Sequence, residues 1–364
     1  MSSLSIMIKP VSESCNLNCS YCFYKSDSKL RSVENRGFMT EETLKIIIEK
    51  AFEHAKDSIS IVFQGGEPTL RGLDFFEYTA EIINANRKYV KNISVSIQTN
   101  GTLLNKNWCS FFKKENWLVG LSLDGTRSVH DKFRRDNNNN GSLEKVLATA
   151  KLLQQFSVEF NVLTVVTNET SAKVAPIYNF FKKNNLMRQQ YIPCLSEFNK
   201  ENRFLSPATY GDFLCRLFDL WYKDRLAGVP VYIRQFENYV GMLKGNSPNE
   251  CGMLGQCTTQ YMVEADGAVY PCDFYGLDEF NLGNILTDDF IALENSKKRA
   301  EFINNSLLKT KECKACQYYF ICRGGCRRNR EYLLGQLSKN EFCLSYKRFF
   351  SYALDSLKHM AGIF

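Results

Sequence analysis

Residues 15–24 read CNLNCSYCFY, three cysteines at the spacing C-x3-C-x2-C followed by an aromatic pair. Thiolates so placed bind a soft metal. A structural zinc takes four protein ligands, and the neighbouring sequence supplies no fourth His, Cys or carboxylate at ligand spacing. An iron–sulfur cluster is the other all-thiolate choice. A four-iron cluster held by Cys15, Cys19 and Cys22 keeps one iron open for an exogenous ligand, and the absent fourth ligand then marks where chemistry happens.

The chain has 14 cysteines in 364 residues, more than a cytosolic protein of this size needs for stability in a compartment that keeps thiols reduced. Metal binding is the expected use. A second group is Cys251 and Cys257, with Cys272 further on; a third is CKACQYYFICRGGC, holding Cys313, Cys316, Cys322 and Cys326, with Cys343 downstream. Structural zinc is the plain alternative for this C-terminal set. Cys109, Cys194 and Cys215 stand alone and read as small buried hydrophobes.

These ligands need elements to place them. Strand-like runs at 4–10, 58–64, 92–99, 117–124, 158–167 and 188–195 alternate with helical patterns at about 41–55, 73–86, 105–115, 142–155, 171–184 and 207–227. Thr40 before Glu41-Glu42 marks one helix start. Six β/α units imply parallel strands with right-handed crossovers, closing as a partial or complete barrel or a doubly wound sheet, with chemistry at the carboxyl ends of the strands. DNNNNGS at 136–142 reads as a surface loop. After about residue 235 the rhythm breaks: 263–275 reads as a hairpin turning at Asp266-Gly267, and the chain beyond it is expected to be loop-rich, weak in long periodic elements and stapled by metal.

Lys plus Arg number 46 against 39 for Asp plus Glu. The excess is mild and spread along the chain, and CRRNR (326–330) reads as a solvated basic run. No nucleic-acid motif, secretory leader or long apolar span is visible, so a soluble, cytoplasmic protein with neither nucleic-acid nor membrane partner is expected.

The first cysteine motif, with Tyr21 and Phe23 flanking Cys22 directly after a first β-strand, resembles the signature of the radical S-adenosylmethionine (SAM) superfamily. The resemblance implies an α/β fold with a partial (β/α)6 TIM-like barrel. It also implies that SAM chelates the open iron and is cleaved to a 5′-deoxyadenosyl radical. GGEP at 65–68 follows the second strand, where the family places a backbone ledge for the SAM amino group; Gly65 and Gly66 permit close approach there, with Glu67 beside them. By the same resemblance Ser122 and Asp124 lie near the ribose, Tyr24 and Leu195 near the adenine, and Arg134 or Arg135 near the SAM carboxylate or the substrate.

The C-terminal cysteines are similar to the SPASM module, which carries two auxiliary [4Fe-4S] clusters. The family's interleaved assignment gives Cys251, Cys257, Cys272 and Cys326 to one cluster and Cys313, Cys316, Cys322 and Cys343 to the other. The implied division is a radical SAM domain over 1–235 and a SPASM domain over 236–364.

QGGEPTL (64–70), QTNGTL (98–103), YPCDFYGLDEFNLGNI (270–285) and the opening LSIMIKP closely resemble anaerobic sulfatase-maturating enzymes along essentially the whole chain. That resemblance implies oxidation of a Cys or Ser in a Cys/Ser-x-Pro/Ala-x-Arg segment of an unfolded or nascent sulfatase to formylglycine. It also implies a flavodoxin- or ferredoxin-like electron donor. Removal of a Cβ hydrogen needs a base for the thiol or hydroxyl proton, and Asp273 matches the family's catalytic aspartate. Gln64 and Tyr24 are expected to position the reacting residue. The runner-up is a SPASM maturase that cross-links a ribosomal peptide through a thioether, carbon–carbon or cyclophane bond. Such enzymes often carry an N-terminal precursor-recognition domain, and with a first strand near residue 4 none is expected here. A zinc-stapled binding protein without catalysis is the reading from another class.

Overall fold

The computed structural model describes residues 2–331, 333–336 and 338–363. It divides into two compact units, each assembled from separate stretches of chain: Met1–Ser122, Arg134–Phe160 and Thr258–Phe302 in the first, and Leu123–Phe133, Asn161–Cys257 and Ile303–Phe364 in the second.

In the first unit β1 (Ser3–Ile8), β2 (Ser58–Phe63), β3 (Asn92–Thr99) and β4 (Leu118–Ser122) run parallel in sequence order. Register is set by apolar residues that meet across the strands, Ile6 opposite Ile61 and Phe63 opposite Ile97. The helix Glu41–His54 starts where Thr40 predicts, the Thr40 hydroxyl accepting the Thr43 amide at 3.0 Å. Its buried Leu44, Ile47, Ile48 and Ala51 recur at helical spacing and turn one stripe to the core. Phe63 stacks on Trp117 at 5.5 Å between ring centres, and Phe76, Trp108, Phe111 and Phe112 close around them.

The hairpin after residue 260 forms, with β8 (Met262–Val263) antiparallel to β9 (Ala268–Tyr270) and the turn at Asp266-Gly267. It does not fold with the C-terminal cysteines. β8 pairs in parallel with β1, Met7 opposite Met262 and Ile8 opposite Val263, and Met7, Met262, Ala268 and Tyr270 form a small buried cluster. A single cut near residue 235 therefore follows composition but not packing: the hairpin is short, and only an existing strand edge supplies hydrogen bonds enough to hold it. The consequence for the site is large, because the segment after β9 arrives beside the carboxyl end of β1.

The second unit contains β5 (Phe160–Val166, all but its first residue), β6 (Arg188–Pro193) and β7 (Tyr232–Ile233), parallel and adjacent in that order. Its core is aromatic. Helix Pro207–Leu226 packs on helix Cys343–Ala361, and Phe218, Trp221, Phe236, Tyr239, Phe349 and Phe350 interlock, Phe236 stacking on Phe349 at 5.5 Å. The 19-residue helix Cys343–Ala361 corrects the expectation of a helix-poor C-terminal region. Its buried Tyr346, Phe349, Phe350, Ala353 and Leu357 carry the helical period; the density of cysteines and glycines before it masked that pattern.

Candidate active site

Gln64 follows β2 directly, and its amide donates to the Ile8 carbonyl at 3.0 Å. Asp273 opens a short 3-10 turn after β9. Tyr24 lies one residue past the helix start at Phe23, with Cys22 as the N-cap. These three side chains meet. The Tyr24 hydroxyl donates to Asp273 Oδ2 at 2.7 Å, and Gln64 Nε2 donates to the same oxygen and to the Tyr24 oxygen, both at 2.9 Å. Asp273 is buried, and its other oxygen, Oδ1, has no partner. Burial raises the pKa of this carboxyl, opposed by the Lys9 cation and by the Tyr24 hydrogen bond. Burial, and then the neighbouring Asp273 charge, push the Tyr24 phenol far up, so it keeps its proton, donating to Asp273 while accepting from Gln64. A carboxylate with one oxygen tied and one orphaned is poised to accept a proton from whatever faces it.

The loop after Gln64 forms a tight ledge. Gly65 and Gly66 have φ of +89° and +50°, and a Cβ on Gly66 would lie 2.1 Å from the Ser14 carbonyl oxygen. Only glycine fits. Glu67 is buried with both carboxylate oxygens engaged, accepting from Thr69 Oγ1 (2.6 Å), Thr99 Oγ1 (2.7 Å) and the Asn100 amide (2.7 Å), while its own amide donates to Ser14. The side chain thus pins the ledge to the end of β3 and to the cysteine loop.

The three first-motif thiols lie in that same loop. The Leu17 amide points at Cys15 Sγ at 3.4 Å and Asn100 Nδ2 lies 3.8 Å away; the Tyr24 and Lys25 amides are directed at Cys22. Burial pushes Cys15 up to about 12 and Cys22 up to about 11, so these groups persist as thiolates only with a metal to hold them. Amides converging on sulfur are the donors by which iron–sulfur sites are tuned. The donor set fits a three-cysteine cluster.

In the second unit Cys313, Cys316, Cys322 and Cys343 line one pocket. Cys251, Cys257 and Cys326 form another group: burial pushes Cys251 up to about 12 and Cys257 up to about 11, and Cys326 adds to both. The Arg328 and Asn329 amides point at Cys326. Among the described residues no three His, Cys, Asp or Glu side chains gather tightly enough for one metal ion.

The chain matches the Radical SAM superfamily over residues 10–181 and the SPASM iron–sulfur cluster-binding domain over 251–317. It is 45% identical to the cysteine-type anaerobic sulfatase-maturating enzyme of Clostridium novyi, covering 99% of this chain and 98% of that one. The chain belongs to the anaerobic sulfatase-maturating enzymes. Identity is 42% to the cysteine-type enzyme of Clostridium perfringens and 31% to the serine-type enzyme of Bacteroides thetaiotaomicron, at 99% and 91% coverage of those chains. The solved structure of native anSMEcpe with bound AdoMet and a Cp18Cys peptide matches with a TM-score of 0.93 at 42% identity, over 99% of both chains. Streptococcus suis SuiB bound to precursor peptide SuiA shares the fold alone, with a TM-score of 0.66, 19% identity and coverage of 94% of this chain and 76% of that one. The fold is therefore α/β with a radical SAM domain and a SPASM domain, and the protein is a radical SAM oxidoreductase that uses SAM, a SAM-binding iron–sulfur cluster and auxiliary clusters.

For this sulfatase-maturating enzyme the remaining residues singled out in the sequence sort by unit. In the first, Ser122 ends β4 and accepts from Gln98 Nε2 at 2.9 Å, and the buried Arg134 lies over the Tyr21 ring, 5.5 Å from its centre; Arg135 Nη1 donates to Asn139. In the second, Asp124 is fully buried and accepts the Val165 amide at 3.0 Å, while the half-buried Leu195 follows β6. Tyr24 was expected near the adenine as well as the substrate; its hydroxyl is committed to Asp273. Sequence reasoning passed over Asn100, whose signal was present in QTNGTL, and a buried charge cluster of Lys9, Glu13, Arg31 and Glu264. Nothing in spacing connects residue 9 to residue 264; β8 joining β1 does.

Proposed function

We propose that this enzyme oxidises the cysteine of a Cys-x-Pro/Ala-x-Arg segment in an unfolded or nascent sulfatase to formylglycine, with Asp273 as the base. The carrying observation is the orphaned Oδ1 of Asp273 beside an Oδ2 fixed by Tyr24 and Gln64. Cysteine in place of serine follows the higher identity to cysteine-type relatives.

Cys15, Cys19 and Cys22 would hold the SAM-binding cluster. Cys251, Cys257, Cys272 and Cys326, and separately Cys313, Cys316, Cys322 and Cys343, would hold two auxiliary [4Fe-4S] clusters, making three in all. By element rhythm and cysteine pattern the radical SAM segment would span 1–235 and the SPASM segment 236–364, a division of sequence and not of packing. When bound, SAM at the first cluster supplies a 5′-deoxyadenosyl radical that takes a hydrogen atom, and the auxiliary clusters supply one-electron acceptors.

The chain's own residues do the rest. The Gly65-Gly66 ledge would let the backbone approach SAM closely and Glu67 keeps the ledge in place; by the family resemblance Tyr24, Ser122, Asp124, Arg134 and Leu195 would be SAM contacts. Gln64 and Tyr24 hold Oδ2 of Asp273, leaving Oδ1 to receive the thiol proton from the substrate cysteine once its Cβ hydrogen is gone. Loss of that proton to Asp273 and of one electron to an auxiliary cluster would close a C=S bond, and water would hydrolyse the thioaldehyde to the aldehyde with release of hydrogen sulfide. A flavodoxin- or ferredoxin-like carrier would reduce the first cluster.

The test is anaerobic: reconstituted enzyme, SAM, a reductant and a Cys-x-Pro-x-Arg peptide, with the product read by mass spectrometry after hydrazide trapping. An aldehyde at that cysteine alongside 5′-deoxyadenosine is expected. SAM cleavage with an unmodified or cross-linked peptide would overturn the assignment.

A further inference from the structure

Lys9 is the penultimate residue of the run LSIMIKP, immediately past β1, and its side chain is wholly buried. Its Nζ donates to Glu13 Oε1 at 2.6 Å and to Glu264 Oε1 at 3.0 Å. Arg31 Nη1 reaches the same two oxygens at 3.0 and 2.8 Å. Two cations thus balance two carboxylates. Although burial opposes the charge, Glu264 and then Glu13 hold Lys9 above the ordinary lysine pKa, so it stays an ammonium. Such a cluster is a costly way to stabilise a fold, since well-packed apolar residues serve as well or better.

What this cluster touches gives it a purpose. Glu13 lies in the cysteine loop, and Glu264 belongs to the hairpin that carries Cys272 and Asp273. The lysine stem runs under the ledge, where a Cβ on Gly65 would come within 2.4 Å of Lys9 Cε. The ammonium lies over the Tyr24 ring, 4.6 Å from its centre, a cation–π distance. That ring's hydroxyl is the one that fixes Asp273.

We propose that Lys9 is a positioning residue for the oxidation: its ammonium, anchored by Glu13 and Glu264, fixes the Tyr24 ring so that the phenol hydroxyl holds Asp273 with its free oxygen facing the substrate. The inference rests on Asp273 acting as the base. Lys9 itself touches no reacting atom. Its effect falls on the yield of aldehyde per SAM cleaved, because a misplaced base leaves the substrate radical without a proton acceptor while SAM cleavage proceeds.

Removing Lys9 alone would strand two buried carboxylates and risk the fold, so the variant is the charge-balanced pair Lys9→Met/Glu264→Gln, compared with Tyr24→Phe and with all three changes together. The readout is the ratio of aldehyde to 5′-deoxyadenosine, which only folded, cluster-loaded enzyme contributes to, with peptide affinity measured by fluorescence anisotropy as a second readout. The pair should lower the ratio between about tenfold and a hundredfold with peptide affinity within about twofold, and the triple variant should be no worse than the more affected of its two parents. An unchanged ratio, or effects of the pair and of Tyr24→Phe that multiply independently, would overturn the positioning role. Asp273→Asn serves as the control for the reading beneath it: full conversion by that variant removes the base, whatever Lys9 does.

Discussion

Two cysteine groups in this chain differ by one thiol, and their surroundings differ in kind. The pocket of Cys313, Cys316, Cys322 and Cys343 has four thiols and is walled by the aromatic rings of Tyr318, Tyr346 and Phe350. The loop of Cys15, Cys19 and Cys22 has three, a glycine ledge that no side chain can occupy, and within the same unit an aspartate with one oxygen unspent. Four thiolates saturate a cluster's irons, which suits passing electrons. Three would leave an iron to bind something, which on the proposed function is SAM.

The contrast can be broken by mutation. Replacing Cys19 with Ala should abolish SAM cleavage altogether, whereas Cys316→Ala should leave cleavage measurable and lower iron by roughly four per chain; liquid chromatography of 5′-deoxyadenosine with iron analysis decides it. Equal loss in both variants would erase the functional difference between the sites. Next in size, Asp273→Asn should reduce aldehyde formation by about 10²- to 10⁴-fold, the usual worth of a positioned base, while 5′-deoxyadenosine is still produced. Gly66→Ala, with its Cβ driven toward the Ser14 carbonyl, should weaken SAM binding by at least about tenfold in equilibrium dialysis and lower stability by about 1–3 kcal/mol. Phe63→Ala, beneath the first site, should cost about 3–5 kcal/mol of stability in denaturant unfolding. The smallest effect is expected from Gln64→Ala, about tenfold in aldehyde yield, because Tyr24 still holds Asp273.

Much of this was legible beforehand. Period-two and helical patterns located the strands β1 to β6 and the longer helices between them, because each buries one face in a regular way; the two-residue β7 is too short to carry such a pattern. Cysteine spacing sorted the proposed ligands into a group of three and a C-terminal set of eight. Asp273 was found through its neighbour Cys272 and the motif around it. The Lys9–Glu264 pair was not legible, since charged residues carry no periodic signal and their meeting depends on a two-residue strand finding the edge of β1. The helix Cys343–Ala361 was overlooked because the cysteine-rich stretch before it suggested a region without a core, while Phe349, Phe350 and Leu357 supply one. Glu67 was legible as part of the ledge, but its attachment to Thr99 and Asn100 depends on β3 ending beside it.

Cys343 is the first residue of that same helix. The last thiol of one site and the helix that completes the aromatic core of the second unit are therefore a single element. A cluster bound at Cys343 would make cofactor delivery and maturation of the polypeptide one equilibrium: its binding would add to the free energy of helix docking, and docking would present the thiol.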